Sequence, residues 1–255
     1  MSYLDFNDIY KQIDGIVNWM EDYIENSGGG GYVIGLSGGV DSSVVAALAV
    51  RALGKDNVHG LIMPIESDEA DKEDAILVAN TLGIKYDVVD LTDAFHGMMN
   101  AYPYSMVKDE LVFLANIKAR LRMAMLYGYA GEWNYLVAGT GNRSEDLIGY
   151  FTKYGDGAAD ILPIGEFYKW EIRGMAKVLG LSDKIADRVS TAGLWKGQTD
   201  EEELGITYKV LDNILMFYDG KIDSLSDEAK DKVDYVKGLI VKNKHKRKYP
   251  PMYKR

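Results

Sequence analysis

Short apolar runs alternate with longer helical patterns along this chain. The runs at 32–37 (YVIGLS), 58–64 (VHGLIMP), 86–91 (YDVVDL) and 134–141 (NYLVAGTG) are too short for helices, and each is expected to be a buried strand. Helical patterns fill 43–53, 68–82 and 106–130, and Gly54, Gly83 and Gly180 follow helical patterns where a left-handed residue would end a helix. Such alternation predicts a parallel sheet with crossover helices. The expected fold is α/β, a Rossmann-like parallel sheet of about five strands with helices on both faces, built as one domain over residues 1–255.

Two helical stretches, 44–53 and 111–129, are apolar on nearly every face, apart from Asn116, Lys118, Arg120 and Arg122 in the second. A helix of that kind is buried on several sides or packs against another chain. Residues 139–165 lose this regularity and carry many glycines and charges, a length of loop that is more often functional than idle.

Composition narrows the field. With 255 residues, 47% of them hydrophobic, the chain can bury a full core. It has no cysteine, which excludes disulfides, thiolate metal sites and cysteine nucleophiles. The net charge of −10 argues against a broad nucleic-acid surface, although one basic cluster stands at 242–248. No signal-type segment is evident, and no apolar run approaches the roughly 18–20 residues that span a bilayer, so a cytoplasmic protein is expected. His59 and His96 have no metal-ligand spacing and are expected to be structural.

The sharpest chemical signal is GLSGGVDSS at 35–43, between the first strand and the first apolar helix. A Walker A loop would end in Gly-Lys-Ser/Thr, and a dinucleotide fingerprint needs G-x-G-x-x-G; neither spacing is present. What remains is a hydroxyl- and glycine-rich turn at a helix N-terminus, where unpaired amides and the helix dipole favour an anion. Asp41 would repel a phosphate unless a divalent cation stood between them. The bland alternative is that Asp41 and Ser42 merely cap the helix.

This loop resembles the S-G-G-x-D-S signature of the N-type ATP pyrophosphatases, which cleave ATP between its α and β phosphates on an adenine nucleotide alpha hydrolase-like fold. With NIKARLRMAMLY (116–127), GTGNRSE (139–145), GYFTKYGDGAADILPI (149–164), GLWKGQTDEEELGITY (193–208) and HKRKYPP (245–251), the chain resembles the ammonia-dependent NAD synthetases over essentially its whole length. The resemblance implies that the nicotinate carboxylate of deamido-NAD attacks the α-phosphate of ATP, and that ammonia then displaces AMP. It also implies a homodimer with the dinucleotide near the subunit boundary. A glutaminase in cis would need a cysteine and a further domain, so free ammonia is the expected nitrogen source.

The resemblance distributes roles residue by residue. Gly35, Leu36, Ser37, Gly38, Gly39, Val40, Asp41 and Ser42 hold the pyrophosphate; Thr140, Lys169 and Thr191 contact ATP; Asp41 and Glu145 share Mg²⁺. Arg120, Lys153, Asp160, His245 and Lys246 contact deamido-NAD, and Asp156 is a candidate partner for ammonia. Arg120 also needs an anion on physical grounds if it is buried among apolar residues, and a structural salt bridge would serve equally. Ser190 and Lys196 stand where the family usually has proline. The polar, glycine-bounded stretch 195–205 is expected to be a flap. Two rivals remain: an ATP pyrophosphatase that aminates another carbonyl substrate, and a nucleotide-binding sensor without turnover.

Overall fold

In the computed structural model, residues 6–103, 110–191, 193 and 197–254 are described. Residues 106–109 of the expected third helix, and Lys196 in the expected flap, lie outside them. The described chain runs α1 (Phe6–Ser27), β1 (Tyr32–Gly35), α2 (Val40–Leu53), β2 (Val58–Ile62), α3 (Glu69–Leu82), β3 (Lys85–Val88), α4 (Thr92–Ala101), α5 (Glu110–Trp133) and β4 (Leu136–Val137). It continues through α6 (Arg143–Ile148), α7 (Lys169–Val178), α8 (Asp183–Ala186), α9 (Asp200–Leu204), α10 (Tyr208–Tyr218), α11 (Asp227–Lys230) and α12 (Val233–Asn243).

The sheet is parallel throughout, in the order β3-β2-β1-β4, with Tyr32 opposite both Val58 and Leu136. Because strand side chains alternate between faces, a sheet covered on both sides needs consecutive apolar residues. β1 illustrates this. Tyr32 and Ile34 join a core with α1, α2, α3 and α7, whereas Val33 joins Leu61, Phe95 and Val137 on the opposite face, under α4 and α5. A third cluster gathers Tyr168 with α10 and α12 residues such as Leu211, Ile214 and Val236.

The sheet has four strands among the described residues rather than about five. Beside β4 the fifth place is taken by a single parallel bridge between Ala138 and Ile161. The reason is local: the Asp160 carboxylate accepts the Val137 amide at 2.8 Å, so a side chain replaces part of the ladder and no strand propagates. Gly54, Gly83 and Gly180 follow α2, α3 and α7 with positive φ; Gly83 is left-handed as the pattern predicts, whereas Gly54, with ψ 156°, is not.

The two all-apolar helices have different fates. α2 is wedged between the sheet, α1 and α7, and it is buried from Val44 to Ala49. α5 covers the sheet but leaves Leu111 and Val112 exposed. The 22-residue α1 has no counterpart in the sequence-based expectations, although Ile9, Ile13, Ile16, Val17, Met20 and Ile24 form one helical stripe, all buried. No helix of the described residues is long and apolar enough to cross a membrane.

Gly31, at the entrance to β1, tests the packing beneath the sheet. A Cβ there would lie 2.3 Å from the Asn57 carbonyl oxygen and 2.7 Å from the Tyr135 ring. The clash involves backbone, which cannot swing aside. Gly31→Ala should lower unfolding free energy by about 1–3 kcal/mol, measured by urea denaturation.

Candidate active site

The carboxyl ends of β1, β2 and β4 open onto one cleft of about 1190 Å³, the position at which parallel sheets bind ligands. Its floor is the 35–42 loop. Gly39 starts α2 without a side-chain cap, so the first-turn amides have no capping partner on that residue. The loop is stiffened from within: Ser42 Oγ donates to Gly39 O at 3.1 Å, Ser43 Oγ donates to the same oxygen at 2.7 Å, and Gly39 N donates to Ser37 Oγ at 3.2 Å.

Gly38 shows why glycine stands in the loop. Its φ is 75°, and a Cβ would meet Arg188 Nη1, Asp74 Cβ and the Ala75 amide nitrogen at 2.7–2.9 Å. Both the backbone conformation and the closeness of α3 forbid a side chain. Gly38 thus faces the protein, and it is the one loop residue that does not line the cleft.

At the α2 N-terminus three charged side chains converge. Lys169 Nζ donates to Asp41 Oδ2 at 2.6 Å and to Glu145 Oε1 at 3.0 Å, and the lysine is 2% exposed. Each comes from a different helix start. Glu145 is set by the Asn142 cap of α6, whose side chain accepts the Glu145 amide at 3.0 Å and donates to Asp41 Oδ1 at 3.0 Å. Lys169 opens α7; its amide donates to Ser144 Oγ at 3.0 Å, and Ser144 in turn donates to Asp212 on α10. Burial alone would lower the lysine pKa, but Asp41 and Glu145 together outweigh it and raise it, so the ammonium stays charged.

One lysine cannot fully compensate the acids around it. Burial pushes Glu145 up to about 7 against the lowering effect of Lys169, and Asp41 and Asp200 add to the rise. Asp200, 4% exposed, is likewise raised, chiefly by burial. It reaches the cluster through Tyr208, whose hydroxyl lies 3.1 Å from Glu145 Oε1 and 3.0 Å from Asp200 Oδ2. Tyr150 donates to Asp200 at 3.2 Å and to Glu203 at 2.7 Å. The segment expected to be a flap therefore sends Asp200 and Glu203 into the site.

Tyr208, Asp200, Tyr150, Asn142 and Asp212 were not singled out from sequence. A capping signature, Asn142 followed three residues later by Glu145, was available for one of them. The others act through tertiary hydrogen bonds that leave no local pattern.

Thr140, Lys153, Asp156, Thr191 and Lys246 line the cleft with the loop, Glu145 and Lys169. Thr191 Oγ1 accepts the Gly193 amide at 3.1 Å. Lys246 Nζ donates to the Gly149 and Phe151 carbonyls at 2.7 and 2.8 Å, while Lys153 Nζ donates to the His245 carbonyl at 3.1 Å. The basic cluster is thereby docked against the 149–153 turn. Asp156 is exposed as a residue and accepts the Thr152 amide at 2.9 Å, and desolvation of its carboxyl by the surrounding protein raises its pKa.

Arg120, Asp160 and His245 are absent from the cleft wall. Arg120 is exposed and donates to the Lys153 carbonyl at 3.3–3.4 Å, so the condition of burial under which it would need an anion is not met for this residue. The reason is helical phase: two positions on, Arg122 takes the cleft-facing side of α5. Asp160 is tied to β4 and to the Tyr127 hydroxyl at 3.4 Å, and His245 is exposed. His59 and His96 pair with Asp87 and Glu66 at 3.0 and 2.9 Å, in keeping with structural roles.

A parallel sheet, an anion-ready loop after its first strand and a lysine shared by two carboxylates define a nucleotide-binding α/β protein. The chain belongs to the NAD synthase family, which matches residues 12–250, and it is a ligase. It is 44% identical over 249 residues to the NH(3)-dependent NAD(+) synthetase of Thermococcus kodakarensis, covering 95% of this chain and 96% of that one. Among solved structures, it resembles NMN synthetase from Francisella tularensis with a TM-score of 0.85 and 36% identity, over 96% of this chain and 98% of the other. It also resembles the NH3-dependent NAD synthetase of Campylobacter jejuni with a TM-score of 0.80 and 31% identity, over 98% and 100% of the two chains.

The Asp212 carboxylate beneath Lys169 offers a test of the scaffold. Burial raises it from 3.8 to about 7, despite the Ser144 and Trp170 donors. Between those values the folded state holds the proton that the unfolded state has released, so stability falls as pH rises through the window. Asp212→Asn removes this linkage. Urea unfolding from pH 4 to pH 8 should show a shallower loss of stability in the variant than in the wild type.

Proposed function

We propose that the protein converts deamido-NAD to NAD with ammonia at the expense of ATP, releasing AMP and pyrophosphate. The observation that carries this reading is the convergence of Asp41, Glu145 and Lys169 beside the 37–42 loop, at 2.6 and 3.0 Å from one Nζ. In the first step a nicotinate oxygen bonds to the α-phosphorus and the bond to the β-phosphate bridging oxygen breaks. The loop amides and the α2 N-terminus hold the departing pyrophosphate. Lys169 offsets the charge that accumulates as two anions meet, and the Thr140 and Thr191 hydroxyls orient ATP. In the second step nitrogen bonds to the acyl carbon, the bond to AMP breaks, and Asp156 is the proposed acceptor of the proton that nitrogen loses.

Asp41 and Glu145 are the two hard oxygen donors that would hold Mg²⁺, beside the Lys169 ammonium that they share. Bound there, the ion would neutralise phosphate charge. Lys153 and Lys246 are the proposed dinucleotide contacts from the cleft wall. Arg120, Asp160 and His245 keep that role only at the outer edge, where a second copy would complete the site. A homodimer of this kind is supported by Leu111, exposed outside the cleft near the start of the helix that carries Arg120. The matched span of 12–250 supports reading the whole chain as one functional domain, and a cytoplasmic setting fits a reaction that consumes ATP.

The likeness to NMN synthetase favours one alternative, an acceptor that is the deamido form of the mononucleotide. Relative kcat/KM for the two acceptors decides between them.

With ATP, Mg²⁺, ammonium and deamido-NAD, equal amounts of NAD, AMP and pyrophosphate should appear. ATP binding without pyrophosphate release would instead make the chain a sensor. Asp41→Asn should lower kcat at least 100-fold while the circular dichroism spectrum is retained; turnover at the wild-type rate would remove Asp41 from the mechanism.

A further inference from the structure

Arg122 has no role in the reading above, yet it is placed to bind a ligand. Ala115, Ala119, Arg122 and Leu126 follow one another at helical spacing on α5, and all line the cleft. Arg122 Nε donates to the Met63 carbonyl at 3.0 Å, just beyond β2, and Nη2 donates to Ser67 Oγ at 3.4 Å. A guanidinium has five N–H donors, so these anchors fix its plane and leave Nη1 without an acceptor among the described residues.

Its charge also lacks a direct partner. Among the described residues no carboxylate lies within ion-pair distance of Arg122. The nearby acids are engaged elsewhere: Asp71 pairs with Arg188, and Asp156 accepts the Thr152 amide. The contrast with Arg143 is informative, since that partly buried arginine pairs with Asp219 at 2.8 Å and Glu166 at 2.6 Å. Burial lowers the Arg122 pKa to about 10, which still leaves it ionised at neutral pH. A fixed, planar, uncompensated cation facing a cleft is the arrangement that recognises an oxyanion with two oxygens in one plane.

We propose that Arg122 is an anion-binding residue of the cleft that takes a phosphate of a bound nucleotide through its free Nη1 edge. The proposal rests on the nucleotide-dependent reading of the site. Two substrates carry this chemistry, ATP and the dinucleotide, and separate binding measurements distinguish them.

The test is calorimetric titration of the full chain with Mg²⁺ and ATP alone, then with deamido-NAD alone, without ammonium. Arg122→Met should raise Kd at least tenfold for one or both ligands; the ligand affected names the phosphate. Arg122→Lys keeps the charge without the fork and should lose at least threefold for the same ligand. Should Arg122→Met bind both ligands within twofold of wild type while folded, the proposal is overturned. If that variant fails to fold, an unchanged Kd for both ligands in Arg122→Lys overturns it equally. NAD formation by the wild type, assayed in parallel, separates the two claims. A wild type that makes no NAD, with Arg122→Met defective in ATP binding, retains the anion site and rejects the amidation reading.

Discussion

The ion triad of Lys169, Asp41 and Glu145 is the interaction on which the rest of the site depends. It joins the first turns of α2, α6 and α7, three helices that start at different depths in the chain. Ion pairs buried to this degree contribute little net stability, because desolvation offsets most of the attraction. Their effect is positional. A lysine at 2% exposure with two carboxylates on one nitrogen has a single workable arrangement, and that arrangement aims the open N-terminus of α2 and the acidic pair at the same space.

Around this point the protein has layered polar support. Asn142 sets Glu145 and touches Asp41, Ser144 receives the Lys169 amide, and Tyr208 links Glu145 to Asp200. These groups are buried and mutually satisfied, so a change at one is felt at the others. The raised pKa values of Glu145, Asp200 and Asp212 come first from burial, which the charge of Lys169 only partly offsets.

Much of this was readable from sequence. The strands at 32–35 and 58–62 and the buried stretch 44–49 of α2 are written in continuous apolar runs, and the 35–43 loop shows itself by its glycines and hydroxyls between strand and helix. Legibility stopped where tertiary geometry took over. Arg120 and Arg122 are equivalent in an apolar helical pattern, and only the phase of α5 against the sheet separates the exposed one from the one facing the cleft. The fifth strand failed because a single carboxylate, Asp160, captured a backbone amide. Tyr208 and Asp200 carry no motif, since their significance lies in hydrogen bonds spanning 63 and 8 residues.

Gly38 turns its back on the cleft and abuts α3, so the 35–42 loop is braced from behind by packing that lies outside the cleft. The opposite wall is built from α5, the 149–157 turn and the segment around Lys246, which share no helix with that brace. Such partitioning lets natural drift reshape the facing wall while the packing behind the loop stays untouched. Diversification within the lineage should then be lopsided, concentrated on one bank of the cleft.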